Sequence, residues 1–471
     1  MSSFRQTFLL SSKWIASFSI LQNMIGFLFG IILARLLSPE IFGEFAIQLA
    51  LVEMLTVITG IGINTSIIQN RKYDDEIFNQ VGFTLSLWFL FIYNVLAVVF
   101  GIIFFRDKLQ LFLLILLSKS IFMVCGVHSC LLRKSFRFKL TSFLDFFAHF
   151  CAIVLAIFSA FLGFGIYSLV IQFGLSQVII SFGTLYFSNF RPKLTLKMEI
   201  KYLKVFLNNG KNLFASQFSE KILYNIDKVI IGKLLGNHFV GLFNRAVGIN
   251  QKIINLFVSI FLSMFNVSFA KFQKDLEKSK LLYNKINWIV YRSCIFSFLI
   301  IYCIADEFIL FLYGEKWSFT SNLIPFLCFA AVIYPLRNID RTFLMSNGKF
   351  VILRKLQIFE LILFVILFLA LTRFYGIYGS CLALDIWLII SLILYKSRIN
   401  SIIKVDFIHF TWPVVCSILI VILNFYLRAN GYLNYASGIF FIIFYSIFVS
   451  IIFSSLLLLF EWGTFRNIVR K

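Results

Sequence analysis

Runs of apolar residues about as long as a bilayer is thick recur along this chain, parted by short polar turns. About 20 apolar residues in a helix cross the hydrocarbon layer. On that measure the pattern predicts fourteen spanning helices, near residues 14–34, 41–64, 80–104, 109–131, 142–163, 165–187, 212–234, 240–269, 286–313, 319–346, 350–372, 376–396, 408–428 and 436–460. The seventh and eighth runs are the least apolar, and the tenth is interrupted by Pro325 and Pro335. Leu37-Ser38-Pro39 and Gly163-Phe164-Gly165 read as tight turns between neighbours. The first run, Trp14 to Ala34, follows Arg5 and Lys13. It is too long for a signal-peptide core and no small-residue cleavage site follows, so it is expected to be a retained span.

Composition agrees. Of 471 residues 60% are hydrophobic and 14% charged, against about a quarter charged in soluble proteins. One water-facing core could not hide that much apolar surface, so lipid must be the solvent for most of it. The eight cysteines are scattered, form no CxxC and mostly lie within apolar runs. They read as small packing residues, not a disulfide or zinc framework.

The net charge of +22 would suggest nucleic acid in a soluble chain. Here the basic residues alternate from loop to loop. Roughly two thirds of the 43 Lys and Arg fall on one set of alternate loops, notably Arg133 to Lys139 and Arg191 to Lys211. That bias places both termini in the cytoplasm. Asp306, Glu307 and Glu315 then fall on an outer loop. No loop is long enough for a soluble domain, and anionic lipid headgroups are the expected partners of the loop charges.

Two internal echoes lie six spans apart. Ala34-Arg35-Leu36-Leu37 followed by Phe42-Gly43-Glu44-Phe45 parallels Gly232-Lys233-Leu234-Leu235 followed by Val240-Gly241-Leu242-Phe243, without gaps. Phe164-Gly165-Ile166-Tyr167 parallels Tyr375-Gly376-Ile377-Tyr378. An even offset keeps the orientation, so the expected architecture is all-α and integral to the membrane, with two six-helix lobes related by a parallel repeat and two further helices. The expected boundaries are 1–190 for the first lobe, 191–211 for a basic linker, 212–400 for the second lobe and 401–471 for the last two helices and tail.

Candidate chemistry lies in the polar residues inside apolar runs, which are costly in lipid and so face protein or water. Glu53, Thr56, Gly60 and Asn64 share one face of the second span. Gln217, Glu220, Lys221, Tyr224, Asp227 and Lys228 make a stripe on the seventh. Arg245, Lys252, Asn255, Ser259, Ser263 and Asn266 make one on the eighth. Arg337, Asp340 and Arg341 lie within one turn. Bland pairings within a helix, Glu220 with Lys221 or Lys228 and Asp340 with Arg337, compete with a functional role. Lys119, Arg245, Lys252 and Arg292 have no acidic neighbour in sequence; with Arg337 and Arg341 they are the candidates for an anion-binding cavity. Glu53, His128, Asp145, His149, Glu220, Asp227 and Asp385 could bind a coupling ion or relay protons, although a lone buried histidine or carboxylate is as often structural. Gly26 and Gly30 form a GxxxG expected to let helices approach closely. No metal cluster, nucleotide loop or catalytic motif is present in the sequence, and no cofactor is expected.

The segments Leu33-Ala34-Arg35-Leu36-Leu37-Ser38-Pro39-Glu40-Ile41-Phe42-Gly43, Gly60 to Asn70, Asp227 to Gly236 and Val240 to Ala246 resemble the ends of the first two spans and the start of the second half in Wzx-type polysaccharide flippases. The resemblance is nearest to the colanic-acid-exporter-like branch of the polysaccharide transporter family, within the multidrug/oligosaccharidyl-lipid/polysaccharide (MOP) exporter superfamily. It departs from that pattern in Glu40-Ile41 and in an uncommon Glu53. The resemblance implies two six-helix lobes in a V with alternating access to a central cavity. It also implies transfer of an undecaprenyl-pyrophosphate-linked oligosaccharide across the bacterial inner membrane for O-antigen, capsule or exopolysaccharide assembly, alongside a polymerase and a chain-length regulator. The competing readings are a cation-coupled multidrug exporter of the same superfamily and a membrane polysaccharide polymerase or acyltransferase. The last would need sizeable outer loops, which the chain lacks.

Overall fold

The computed structural model describes residues 2–59, 62–69, 76–193, 200–252, 276–403, 411–430, 433 and 438–470. Among them every regular element is helical. In chain order these are α1 Ser2–Leu36, α2 Pro39–Leu55, α3 Ile63–Gln69, α4 Glu76–Phe104, α5 Leu109–Val124, α6 Gly126–Lys134, α7 Phe138–Phe161, α8 Ile166–Phe187, α9 Ile200–Leu223 and α10 Ile226–Leu235. Then come α11 (237–252), α12 Leu276–Cys303, α13 Ala305–Tyr313, α14 Phe319–Ser346, α15 Phe350–Asn400, α16 Thr411–Ala429 and α17 Ile439–Arg470.

Ten helices among the described residues are long and apolar enough to cross a bilayer, and eleven if Arg106–Val124 and Gly126–Lys134, bent by 40°, count as one span. The fold is thus an all-helical multi-pass membrane protein. The difference from fourteen has local causes. The expected eleventh and twelfth spans are one 51-residue element, α15, broken at Gly376 (φ 60°, ψ −142°). The expected seventh span is divided at Asn225 into α9, which is rich in polar residues, and α10, which is only 10 residues long, so neither alone is long and apolar enough to cross. The eighth runs from α11 into residues outside those described, where Asn255, Ser259, Ser263 and Asn266 lie. Within α14, Pro325 and Pro335 do not end the helix, which runs unbroken from Phe319 to Ser346.

Lipid is the evident solvent for the outer faces. The Ile439–Glu461 stretch has a mean hydropathy of 2.5, yet only 17% of it is buried within the protein. Phe425, Phe440 and Leu459 are each about three-quarters exposed.

The chain divides into two compact units, Met1–Gly241 and Leu242–Lys471. In the first, α7 packs on α1 and α8 around Leu33, Ile153, Ala156 and Leu169. A second core lies among α2, α4, α5 and α8, around Val52, Tyr93, Phe112 and Ile115. A third brings Phe78, Val127, Tyr202 and Phe206 together, with the Phe78 and Phe206 rings stacked at 4.5 Å. The start of α2 crosses the start of α11 so closely that a Cβ on Gly43 would stand 1.8 Å from the carbonyl oxygen of Asn237. A Cβ on Gly241 would stand 1.9 Å from that of Pro39. Beside this crossing His238 Nδ1 meets the Glu40 carboxylate. Close approach therefore belongs to these glycines. The GxxxG of α1 makes none: a Cβ on Gly26 or Gly30 would meet nothing within 4 Å among the described residues, because that stretch of α1 turns Met24 and Leu28 outward.

In the second unit α12, α14, α16 and α17 close on a core of Tyr291, Ile295, Leu299, Cys416, Ile420, Tyr445 and Phe453. Two of the glycines in the sequence echoes take the same backbone shape, Gly165 at φ 54°, ψ −123° and Gly376 at φ 60°, ψ −142°. Both lie in a region that only glycine visits easily, and each is followed directly by Ile-Tyr at the start of a helical run.

Candidate functional site

The first unit holds a three-membered charge cluster. Glu53 sits near the end of α2, where the helix tightens into a 3₁₀ turn over Thr56–Ile58. The Thr56 hydroxyl donates back to the Glu53 carbonyl at 2.6 Å, and the Tyr93 hydroxyl donates to the Val52 carbonyl at 3.3 Å. These bonds fix the backbone that carries the carboxylate. One carboxylate oxygen accepts from Lys119 of α5, and the other accepts from Lys221 of α9 at 2.9 Å. Lys221 lies just before the break at Asn225, whose side chain donates to the Lys221 carbonyl at 2.9 Å.

Two ammonium groups on one carboxylate leave one positive charge uncompensated within the cluster. The side chains of Lys119 and Glu53 are 14% and 20% exposed, and that of Lys221 is 43% exposed, so the excess charge is reachable on the Lys221 side. An anion arriving there would replace part of the water lost by both lysines.

Three cations of the second unit, Arg292, Arg337 and Lys396, are held differently. Arg337 of α14 is clasped by Glu360 of α15 through two bonds, Nε to Oε1 at 2.8 Å and Nη2 to Oε2 at 2.7 Å. Ser391 joins the same carboxylate, and the guanidinium lies over the rings of Trp387 and Tyr395 at 5.0 and 5.6 Å. One turn along α14, Asp340 accepts from the Tyr283 hydroxyl at 2.5 Å and pairs with Lys396 at 3.1 Å. Arg292 of α12 is held by Glu461 of α17, with Nε to Oε2 at 2.7 Å, and lies over the Trp288 ring at 4.2 Å. All of these ionised groups are buried. Each arginine or lysine here is matched by a carboxylate, which is how buried charge persists in a low dielectric.

The expected pairings within a helix are thereby corrected. Arg337 takes Glu360 instead of Asp340, Asp340 takes Lys396, Lys221 takes Glu53, and Lys228 takes Asp227 at 3.2 Å. Arg337 and Asp340 stand one turn apart and could have met, but facing helices supply each with its own partner; of these pairs only Lys228 takes an acidic neighbour in sequence, Asp227. Lys119 and Arg292, which lack acidic neighbours in sequence, find them in Glu53 and Glu461.

The remaining candidates are distributed as follows. Arg245 of α11 stacks on Trp317 at 4.9 Å and Tyr313 at 5.0 Å, and half-buried Lys252 lies in its electrostatic field. Arg341 is half-buried one turn beyond Arg337. His128 is buried between Phe83 and Phe190, and neither ring nitrogen meets a hydrogen-bond partner among the described residues. His149 is exposed, with Nδ1 2.8 Å from the Asp145 carbonyl oxygen; the Asp145 carboxylate is half-buried. Glu220 is half-buried on α9 and Asp227 is buried on α10. Asp385 is buried on α15. Among the described residues no group of histidine, cysteine and carboxylate side chains could hold a metal ion. Lys221 and Glu360 do more than their place in the sequence indicated. In the sequence Lys221 is marked only by the stripe on the seventh span, and nothing in the residues around Glu360 marks it as the partner of Arg337.

A helical membrane chain with compensated and uncompensated charge inside its spans suits a transporter, and comparison with known proteins identifies which kind. Residues 32–322 match the profile of a family described as polysaccharide biosynthesis protein. The chain belongs to that family. It is a membrane transporter of polysaccharide biosynthesis, of the Wzx type. It is 22% identical over 388 residues to the lipopolysaccharide biosynthesis protein WzxC of Escherichia coli K12, covering 77% of this chain and 75% of that one. It is 22% identical to the succinoglycan biosynthesis transport protein ExoT of Rhizobium meliloti, covering 63% of this chain and 60% of ExoT. A membrane protein of the cps region of Klebsiella pneumoniae is 24% identical over 390 residues, covering 79% of this chain and 78% of its own length. The transporter shares its fold with the lipid II flippase MurJ in an inward closed conformation (TM-score 0.72, 16% identity, 94% of this chain and 98% of MurJ). It also shares it with an inward-facing multidrug resistance MATE transporter of the MOP superfamily (TM-score 0.65, 18% identity, 81% and 96%).

Proposed function

We infer that this transporter moves an oligosaccharide unit carried on undecaprenyl pyrophosphate from the inner to the outer leaflet of the bacterial cytoplasmic membrane, for assembly of a surface polysaccharide. The observation that carries the reading is the Lys119–Glu53–Lys221 cluster, which sets an excess positive charge among helices of the first unit, Glu53 itself lying on the span Pro39–Ile58. A diphosphate cannot enter hydrocarbon unaided because it would lose its hydration. Fixed ammonium groups substitute for that water, and Glu53 holds both in place until an anion competes for them. Arg245 and Lys252 are the second cationic pair, and Arg341 is a third candidate contact. Arg292 and Arg337, each locked to a carboxylate, are assigned to structure instead.

The parallel repeat belongs to the same proposal. The Gly43–Asn237 and Gly241–Pro39 approaches are reciprocal, and each position is related to its counterpart by the 198-residue offset that also separates Glu40 from His238. The reciprocity extends the sequence echo to the backbone of this crossing. The matching backbone at Gly165 and Gly376 supports it independently. On this reading two six-helix halves alternate access by rigid-body rocking, and both termini are cytoplasmic. A polymerase and a chain-length regulator are the proposed partners in the membrane.

The MATE-like fold leaves a cation-coupled drug exporter as the second reading. An excess of positive charge around Lys119 and Lys221 would repel a cationic drug, which favours the anionic lipid. The test is surface display of polysaccharide in cells carrying the Lys119→Ala/Lys221→Ala double variant. Loss of display, accumulation of single lipid-linked units and normal membrane insertion are expected. Normal display would remove the cluster from the mechanism.

A further inference from the structure

At one end of the second unit lies a cavity of about 630 Å³, within the range of small-molecule sites. Its walls come from helix ends: Asp306 from the first turn of α13, Asn322 and Phe326 from the start of α14, Tyr378 just after the break at Gly376, and Asn424 and Arg428 from the last turns of α16. Helix ends are where a spanning protein meets the water–lipid interface, and where aromatic and cationic side chains collect.

The cavity has two chemical faces. Tyr378 and Phe326 form one, with ring centroids 5.5 Å apart and planes tilted by 54°. Both rings are about a third exposed, so their faces are open to a ligand. The other face is polar but not cationic. Arg428 is tied down by the Cys303 carbonyl oxygen at 2.9 Å, by both Glu307 oxygens at 3.0 Å and by Asp306 at 3.4 Å. One guanidinium against two carboxylates leaves a local negative excess. The Asn424 side-chain oxygen accepts from Tyr445 at 2.8 Å, which fixes the amide so that its NH2 group is the remaining donor. Asn322 stands exposed on the rim.

That balance repels a diphosphate and an anionic lipid headgroup. Flat apolar rings beside amide and carboxylate groups match a pyranose, whose C–H face lies on an aromatic ring while its hydroxyls exchange hydrogen bonds at the edge. We propose that this cavity is a glycan-binding subsite, taking uncharged or basic sugar residues of the transported unit at the end of the second unit. The proposal rests on the flippase reading and specifies where the sugar, as opposed to the headgroup, is held.

The test uses the full-length transporter in lipid nanodiscs. The probe is the free oligosaccharide released by mild acid from the lipid-linked pool of the host strain, followed by saturation-transfer NMR. Binding to the wild type, at least tenfold weaker binding to Tyr378→Ala and Asn322→Ala, and no displacement by inorganic pyrophosphate are expected. Asn322→Ala sits on an exposed rim and tests the site without disturbing the core. Equal binding by wild type and both variants, or no binding by the wild type, overturns the subsite. Displacement by glycerophosphoethanolamine would make the cavity a lipid-headgroup seat and also overturn it. Binding of the intact lipid-linked unit is measured in parallel: if it persists and remains sensitive to Lys119→Ala/Lys221→Ala, the subsite has failed and the flippase reading stands. If the intact unit does not bind either, the flippase reading has failed.

Discussion

Gly43 and Gly241 meet across two helices with no room for a side chain on either. A methyl group on the first would stand 1.8 Å from the backbone oxygen of Asn237, and one on the second 1.9 Å from that of Pro39. Real carbon–oxygen contacts cannot be that short, so the helices would have to separate. Gly43→Ala and Gly241→Ala should each cost at least about 1–3 kcal/mol, the usual penalty of overpacking. Gly26→Ala and Gly30→Ala, which meet nothing within 4 Å, should be neutral or slightly stabilising as helical Gly→Ala changes. Thermal unfolding in detergent compares the four. Equal melting points would refute the crossing.

Glu360 is fully buried and neutralises Arg337. Glu360→Gln leaves the guanidinium charged with half its partner gone, and the expected loss is about 3–5 kcal/mol. The double variant Arg337→Met/Glu360→Leu removes both charges and should recover most of that loss. Recovery identifies the pair as structural; if Arg337→Met/Glu360→Leu is stable yet fails to display polysaccharide, Arg337 returns to the list of substrate contacts.

Trp317 is completely buried and carries the Arg245 guanidinium on its face. Trp317→Ala should destabilise by about 3–5 kcal/mol through lost packing. Arg245→Ala should cost far less in stability but should abolish export. A melting curve and an export assay on the same two variants separate packing from function, and normal export by Arg245→Ala would sink its proposed role.

His128 is enclosed by Phe83 and Phe190 with neither nitrogen bonded among the described residues. A buried polar ring without partners contributes nothing that an apolar ring would not, so His128→Phe should hold stability within about 1.5 kcal/mol and retain export. Abolished export in His128→Phe, with the fold intact, would restore the histidine as a proton carrier.

Much of this was readable in the chain. The apolar runs located the long helices because lipid imposes one length on them all, and Gly165 and Gly376 were marked by their matching surroundings because only glycine tolerates their backbone. The break at Asn225 that divides the seventh run into α9 and α10 was not legible, because contacts such as Lys221 with Glu53 leave no trace in local hydropathy. Charge partners failed for the same reason. Arg292 and Glu461 are 169 positions apart, and only the packing of α12 against α17 joins them. The close crossing was not legible either: the echo aligns Gly43 with Gly241 without showing that they meet, while the GxxxG that signals close packing faces outward.

On this account the ammonium groups held at Glu53 shelter a pyrophosphate while it changes leaflets. The most direct measurement is leaflet exchange of the host's undecaprenyl-pyrophosphate-linked oligosaccharide in proteoliposomes. Wild type should move the lipid-linked unit, and Lys119→Ala/Glu53→Gln/Lys221→Ala, which also removes the carboxylate that the lysines neutralise, should move it at least tenfold more slowly while keeping its melting point. Equal rates in the two proteins would contradict the claim.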